Sequence, residues 1–129
     1  MEEVFELVSS VTQSSFIDVD ESAATSLGDE QVSSGDLIRD GVTVGDFGSI
    51  CTVTRTAPGD EYDLQCAVTL HLPEGRITAE GRFTVTSVGP GPITFAITGG
   101  TADYRTAQGF ITADPVNESE TNLTVNLIL

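Results

Sequence analysis

The chain has no lysine and no tryptophan, one histidine and two cysteines, and its only aromatics are six phenylalanines and two tyrosines. Each scarcity removes a class of chemistry. Without lysine there is no Schiff-base nucleophile and no lysine-dependent phosphate loop. Two cysteines and a lone histidine offer no zinc-site spacing, so no metal is expected. His71 shares the parity of Thr69, on a solvent face beside a turn, whereas a Ser-His-Asp triad needs its histidine inside a pocket. Positive charge is equally short. Five arginines stand against twenty acidic residues, a net charge of -15, which argues against nucleic acid and anionic membrane as partners. No uncharged apolar run approaches the ~20 residues of a membrane-spanning helix. The N-terminal MEEVFELVSS carries acid where a secretory leader carries positive charge. The expected location is the cytoplasm.

Helical periodicity is missing as well, and strict apolar–polar alternation takes its place. The alternating runs are Val4–Val11, Phe16–Val19, Gln31–Ile38, Gly48–Arg55, Tyr62–Leu70, Arg76–Thr86, Ile93–Thr98, Gly109–Ala113 and Asn122–Leu129. Turn signals separate many of them, at Pro58-Gly59-Asp60, Pro73-Glu74-Gly75, Gly89-Pro90-Gly91 and Asp114-Pro115. Asp18–Gly28 is the most loop-like stretch. With 129 residues and no composition break, one all-β domain over 1–129 is expected, a sandwich or barrel.

Registers follow for three hairpins. A turn on Pro58-Gly59 pairs Arg55 with Tyr62, Val53 with Leu64 and Cys51 with Cys66. A loop at Leu72–Gly75 pairs Leu70 with Ile77 and Val68 with Ala79. A third hairpin sets Val85 against Ile93 and Phe83 against Phe95. Directly opposed residues share a face, so one continuous dry face carries Val53, Leu64, Val68, Phe83 and Phe95. Such a meander closes most simply into an antiparallel barrel with an apolar interior, either filled or holding one small ligand. A cavity below about 300 Å³ would exclude a drug-sized ligand and favour the filled barrel.

The opposed cysteines are expected to be reduced thiols acting as small core hydrophobes, as suits a cytoplasmic chain. The register also leaves open a cross-strand disulfide. Arg55 and Tyr62 share the dry-face parity near a barrel mouth. There they either snorkel at the rim or anchor the polar end of a ligand. The stretch AITGGTADYRTAQG, residues 96–109, lacks the order of a dinucleotide-binding loop and reads as a structural turn. Its paired glycines can reach positive φ or let backbone pass close by.

This same stretch resembles the strand–GGTG–aromatic–small–Gly signature of the allene oxide cyclase-like barrels, relatives of the plant dirigent proteins, with Ala102 where glycine is common. SLGDEQVSSGDLIRDGVTVGDFGSICTV and LQCAVTLHLPEGRITAEGRF are similar to further runs of that family, so the likeness spans about Ser26 to Gly109. It implies an antiparallel eight-stranded barrel of calycin type around an apolar cavity, assembled as a homo-oligomer, a dimer or trimer. The plant catalytic glutamate falls on Val11, its water-holding asparagine on Gln13 and its cavity tyrosine on Phe83, while the cavity cysteine is kept as Cys51. The barrel is thus expected without the plant reaction.

The resulting expectation is a cofactor-independent bacterial cyclase that folds a linear, apolar, polyketide-like substrate for ring closure, for example a [4+2] cycloaddition. The alternative is a non-catalytic or dirigent-type binding barrel. Arg55, Tyr62 and Gln13 are the catalytic candidates. Cys51, Val53, Leu64, Cys66, Val68, Phe83 and Phe95 are the substrate-binding ones.

Overall fold

In the computed structural model, which describes residues 2–21 and 24–129, alternation becomes eight strands. They are β1 (Glu2–Ile17), β2 (Glu30–Arg39), β3 (Val42–Ala57), β4 (Glu61–Leu72), β5 (Gly75–Val85), β6 (Ile93–Gly100), β7 (Gln108–Pro115) and β8 (Glu120–Ile128). Each pairs antiparallel with its sequence neighbour, and β8 returns to β1 to close the barrel. Closure leaves no exposed sheet edge along the part of the barrel where all eight strands are paired. Among the described residues, no helix is long and apolar enough to cross a membrane.

Nine expected runs become eight strands because Val4–Val11 and Phe16–Ile17 belong to one continuous β1, kinked at a bulge between Val11 and Gln13. A bulge inserts one residue and exchanges the faces beyond it. Accordingly Phe5, Leu7, Ser9 and Val11 face inward before it. After it Ser14 opposes the inward Ser33 and Phe16 opposes Gln31. A second bulge, between Val53 and Arg55, does the same to β3.

The two ends of the barrel differ. At one, the chain leaves β6, makes one 3-10 turn over Ala102–Tyr104 and enters β7. This crossing closes the end: Tyr104 and Ala107 are buried in the main core with Phe5, Leu37, Leu70, Ile77 and Leu127. Fully burying each such aliphatic side chain contributes roughly 1.5–3 kcal/mol. The Tyr104 hydroxyl donates to Glu74 Oε1 at 3.1 Å, and burial, with that bond, pushes its pKa up to about 12. At the other end β1 to β5 run on past the shorter β6–β8. The ladder between β5 and β6 stops at Glu80↔Ala96, while β4 and β5 stay paired as far as Tyr62↔Val85. This is the open end. Its long β1–β2 loop is tied down by Asp29, whose buried carboxylate accepts the Val19 and Ser26 amides at 3.0 and 2.9 Å.

The crossing explains the glycine pair. Gly99 and Gly100 do not have positive φ. Gly100 is required because a Cβ there would lie 2.3 Å from the Tyr104 carbonyl oxygen and 2.6 Å from that of Arg76. Positive φ falls instead on Ala102, at 54°, the position where the resembled signature carries glycine. A left-handed alanine costs roughly 1–2 kcal/mol, partly offset by the extra freedom glycine has when unfolded. Ala102→Gly should therefore stabilise the barrel by about 0.5–1 kcal/mol. In thermal denaturation the midpoint should rise by ~2–4 °C.

Candidate functional site

Above the plugged core, toward the open end, lies a cavity of about 190 Å³. The wall changes character around the barrel. Thr121 on β8, Ser9 on β1, Ser33 on β2 and Ser49 on β3 form a hydroxyl arc on four adjacent strands. Across from it, Phe83 on β5 and Ile93 and Phe95 on β6 make an apolar wall. The two phenyl rings meet edge to face, 6.4 Å between centroids. Phe47, Leu70, Ile111 and Leu123 join the lining toward the core, and no ionisable side chain lines the cavity among the described residues.

Ser33 and Ser49 are directly opposed, with their Oγ atoms 2.6 Å apart. The Ser9 hydroxyl makes a longer contact to the Thr121 carbonyl, 3.4 Å. Beside this arc the wall holds a disulfide. Cys51 and Cys66 are bonded, with Cα atoms 4.0 Å apart, so the expected reduced thiols are corrected. The cross-strand register was right, and it brings the backbones into the close antiparallel pairing, ~4.5 Å, that a disulfide can bridge.

Of the other residues singled out from the sequence, Val68, Phe83 and Phe95 line the cavity with the two half-cystines. Val53 and Leu64 are buried just beyond it, in a second cluster with Cys66 against which Tyr62 and Val85 pack. Tyr62 keeps its inner face and lies half-buried near the mouth.

Arg55 and Gln13 are not in the cavity. The bulge before Arg55 pairs it with Asp63 rather than Tyr62 and puts it on the outer wall. The bulge before Gln13 sets it opposite Ser34, which faces away from the lining Ser33, and its side chain is exposed. The third hairpin is also corrected. Ala79 pairs with Ile97, a two-residue slip from the Phe83–Phe95 register. A slip of two preserves the face, so both rings still point inward.

Arg55 instead serves the outer wall. Its Nε and Nη2 donate to Asp63 Oδ2 and Oδ1 at 2.8 and 3.1 Å, and Nη2 also reaches Glu61. The Thr84 hydroxyl donates to Asp63 Oδ1 at 2.6 Å. The Arg55 bonds first, then that of Thr84, lower the Asp63 pKa from 3.8 to about 2, and the bonds to Asp63 first, then to Glu61, raise that of Arg55. With the folded-state value depressed, the stabilisation is complete above pH 3.8 and is lost as pH falls through about 2. Asp63→Asn should flatten the fall in thermal midpoint across that window, which a melting series in acid buffers would read.

Sequence reasoning missed the hydroxyl arc, although Ser33 and Ser49 share the inward parity of Leu37 and Cys51. Small polar residues on a dry face are the signal that could have found it. His71 lies on the wet face as expected, its Nδ1 3.6 Å from an Asp46 carboxylate oxygen.

A family model described as "Allene oxide cyclase barrel like domain" matches residues 8–129. No curated protein matches the chain. Among solved structures, a pyocyanin demethylase is 29% identical with a TM-score of 0.84, over 98% of this chain and all of the other. AbnU, an exo-specific intermolecular Diels-Alderase, is 16% identical with a TM-score of 0.77, over 98% and 96% of the two chains. The pterocarpan synthase dirigent protein PsPTS1 is 18% identical with a TM-score of 0.68, over 98% and 92%. At such identities the last two share the fold alone.

Proposed function

We propose, from the premise that the chain belongs to the allene oxide cyclase-like barrel family, that it is a cofactor-independent cyclase closing a ring on an apolar small molecule. One observation carries this reading: a cavity with an aromatic wall, a hydroxyl wall and, among the described residues, no ionisable side chain in its lining. Such a chamber cannot supply a protein acid or base from its lining. It can hold two reacting segments in near-attack geometry, a contribution of up to ~7–11 kcal/mol in the best cases. Pericyclic ring closure, including [4+2] cycloaddition, needs no proton transfer and suits those means.

The volume refines the substrate. At about 190 Å³ the cavity falls below the ~300 Å³ set above, so by that threshold the barrel counts as filled with respect to a drug-sized ligand, although the space exceeds the ~150 Å³ that admits benzene in an apolar core. A polyketide-like chain is therefore not enclosed whole. Its reacting segment occupies the cavity, and the remainder lies along the inner faces of the projecting strands, past Tyr62 and Phe16.

A second reading is favoured by the identity and full-length coverage shared with the pyocyanin demethylase: demethylation of pyocyanin or a related N-methylated ring, in which water takes up the methyl carbon as formaldehyde and the substrate's own ring accepts the two electrons and two protons released. Ring closure leads because the lining offers no group to take up a proton. The test incubates the purified protein with linear diene–dienophile precursors and, separately, with pyocyanin, followed by mass spectrometry. Faster or stereochemically altered mass-neutral closure supports the cyclase. Loss of a methylene equivalent from pyocyanin supports the demethylase. If neither set changes in rate or outcome, both readings fall.

The disulfide bears on where this happens. Such bonds persist in oxidising compartments and are rare in the cytosol, so we propose that the protein keeps this cross-link where thiols are not held reduced.

A further inference from the structure

We infer that the Ser33–Ser49 pair is a specificity site that hydrogen-bonds a carbonyl or similar acceptor on the edge of a flat, unsaturated ligand whose body lies against Phe83 and Phe95. The inference rests on the reading of the barrel as a small-molecule chamber and names the ligand class for it.

The argument begins with proton bookkeeping. A serine hydroxyl has one proton to donate and two lone pairs. At 2.6 Å the two Oγ atoms share one hydrogen bond, in which one serine donates and the other accepts. The accepting serine still has its own proton. Both residues point inward from paired positions on β2 and β3 and line the cavity, so that proton is directed at the cavity contents. A hydroxyl that already accepts a hydrogen bond is polarised and becomes a better donor. The Ser9 hydroxyl competes less, since it is turned to the Thr121 carbonyl.

The opposite wall decides the rest of the ligand. In a closed eight-stranded barrel, β5 and β6 face β1 and β2 across the interior. Phe83, Ile93 and Phe95 present hydrocarbon there, where a polar group would lose its hydration without replacement. Only one edge of the ligand can therefore be polar, and an acceptor on that edge takes the one free serine proton. An anionic edge is disfavoured, because among the described residues no cationic side chain lines the cavity and an unpaired buried charge is far costlier than a neutral acceptor. The fitting ligand is neutral, flat and carbonyl-bearing. In a cycloaddition, a hydrogen bond to the carbonyl of the acceptor partner stabilises the charge that builds there, and no proton changes hands.

Acetophenone and α-methylstyrene form a matched probe pair, differing only in C=O against C=CH₂. Binding of each to the full chain is followed by NMR at Phe83, Phe95 and their neighbours. In the wild type, affinity for acetophenone relative to α-methylstyrene should exceed that of the Ser33→Ala/Ser49→Ala variant by about fivefold, the worth of one net hydrogen bond. Ser33→Ala alone retains a hydroxyl and should keep the preference. Should the double variant not fold, the infrared carbonyl stretch of acetophenone bound to the wild type decides, and a hydrogen bond lowers it relative to an alkane solution. If both probes bind but the ratio is unchanged in the double variant, or the bound stretch is not lowered, the serine inference is overturned while the chamber stands. If neither probe perturbs the cavity residues, the chamber reading itself is overturned.

Discussion

Replacing Cys51 and Cys66 together by alanine should lower the stability of the barrel by about 3 kcal/mol, the value for a cross-link closing a loop of roughly this length. The two residues are 15 apart in sequence, so the bond restrains the unfolded hairpin as well as joining β3 to β4 in the folded wall. For a chain of this size, 3 kcal/mol corresponds to a drop of ~10–15 °C in the thermal midpoint. Reducing the wild type with a phosphine separates two contributions. Reduction removes the cross-link and leaves both sulfurs in the wall, whereas the alanine pair also removes their packing. The alanine variant should therefore melt below the reduced protein, and both below the oxidised one. Two free thiols titrated in denatured, unreduced protein, together with equal midpoints for phosphine-treated and untreated wild type, would sink the assignment.

The cysteine result shows how pattern and chemistry separate. Alternation alone located the Cys51–Cys66 pairing, because a two-residue period with a short turn leaves little freedom of register. The redox state was not legible, since it depends on a compartment that residue spacing does not encode. The same divide runs through the site. Val68, Phe83 and Phe95 were legible as inward residues because apolar neighbours fixed their parity, and even a two-residue slip in the third hairpin left them inside.

Arg55 and Gln13 were misplaced for a different reason. Each follows a bulge in a run of polar residues, Thr12-Gln13-Ser14-Ser15 and Thr54-Arg55-Thr56, where no apolar side chain marks which face is which. In β1 one marker existed. Phe16 is out of phase with Phe5, Leu7 and Val11, and that inversion is the trace of the bulge. In β3 the clue was electrostatic. An arginine beside Glu61 and Asp63 finds its partners across the hairpin, outside the barrel, rather than in an apolar interior. The hydroxyl arc was overlooked because serine on a dry face reads as noise until closure brings β8, β1, β2 and β3 side by side.

Filling the chamber tests whether binding happens inside it. Val68 lies on β4, paired with Ser49 on one side and Ala79 on the other, and lines the cavity. Val68→Phe directs a ring into about 190 Å³ of space, where a ligand and the new side chain cannot coexist. Affinity for α-methylstyrene should fall by ~100-fold or more, since the site is occupied rather than merely reshaped. Stability should change little. Overpacking a filled core costs typically 1–3 kcal/mol, but here the ring enters a void whose lining lacks partner atoms, and the dispersion it gains offsets part of that cost. Ala67→Phe supplies the comparison. Its side chain points out of the barrel by alternation and is exposed, so the same bulk added one residue away should leave affinity within twofold of the wild type, a surface change away from the site being small. The pair thus distinguishes loss of space from loss of fold. Equal probe affinity in Val68→Phe and wild type would place the binding site outside the barrel, and with it any chemistry that depends on enclosure.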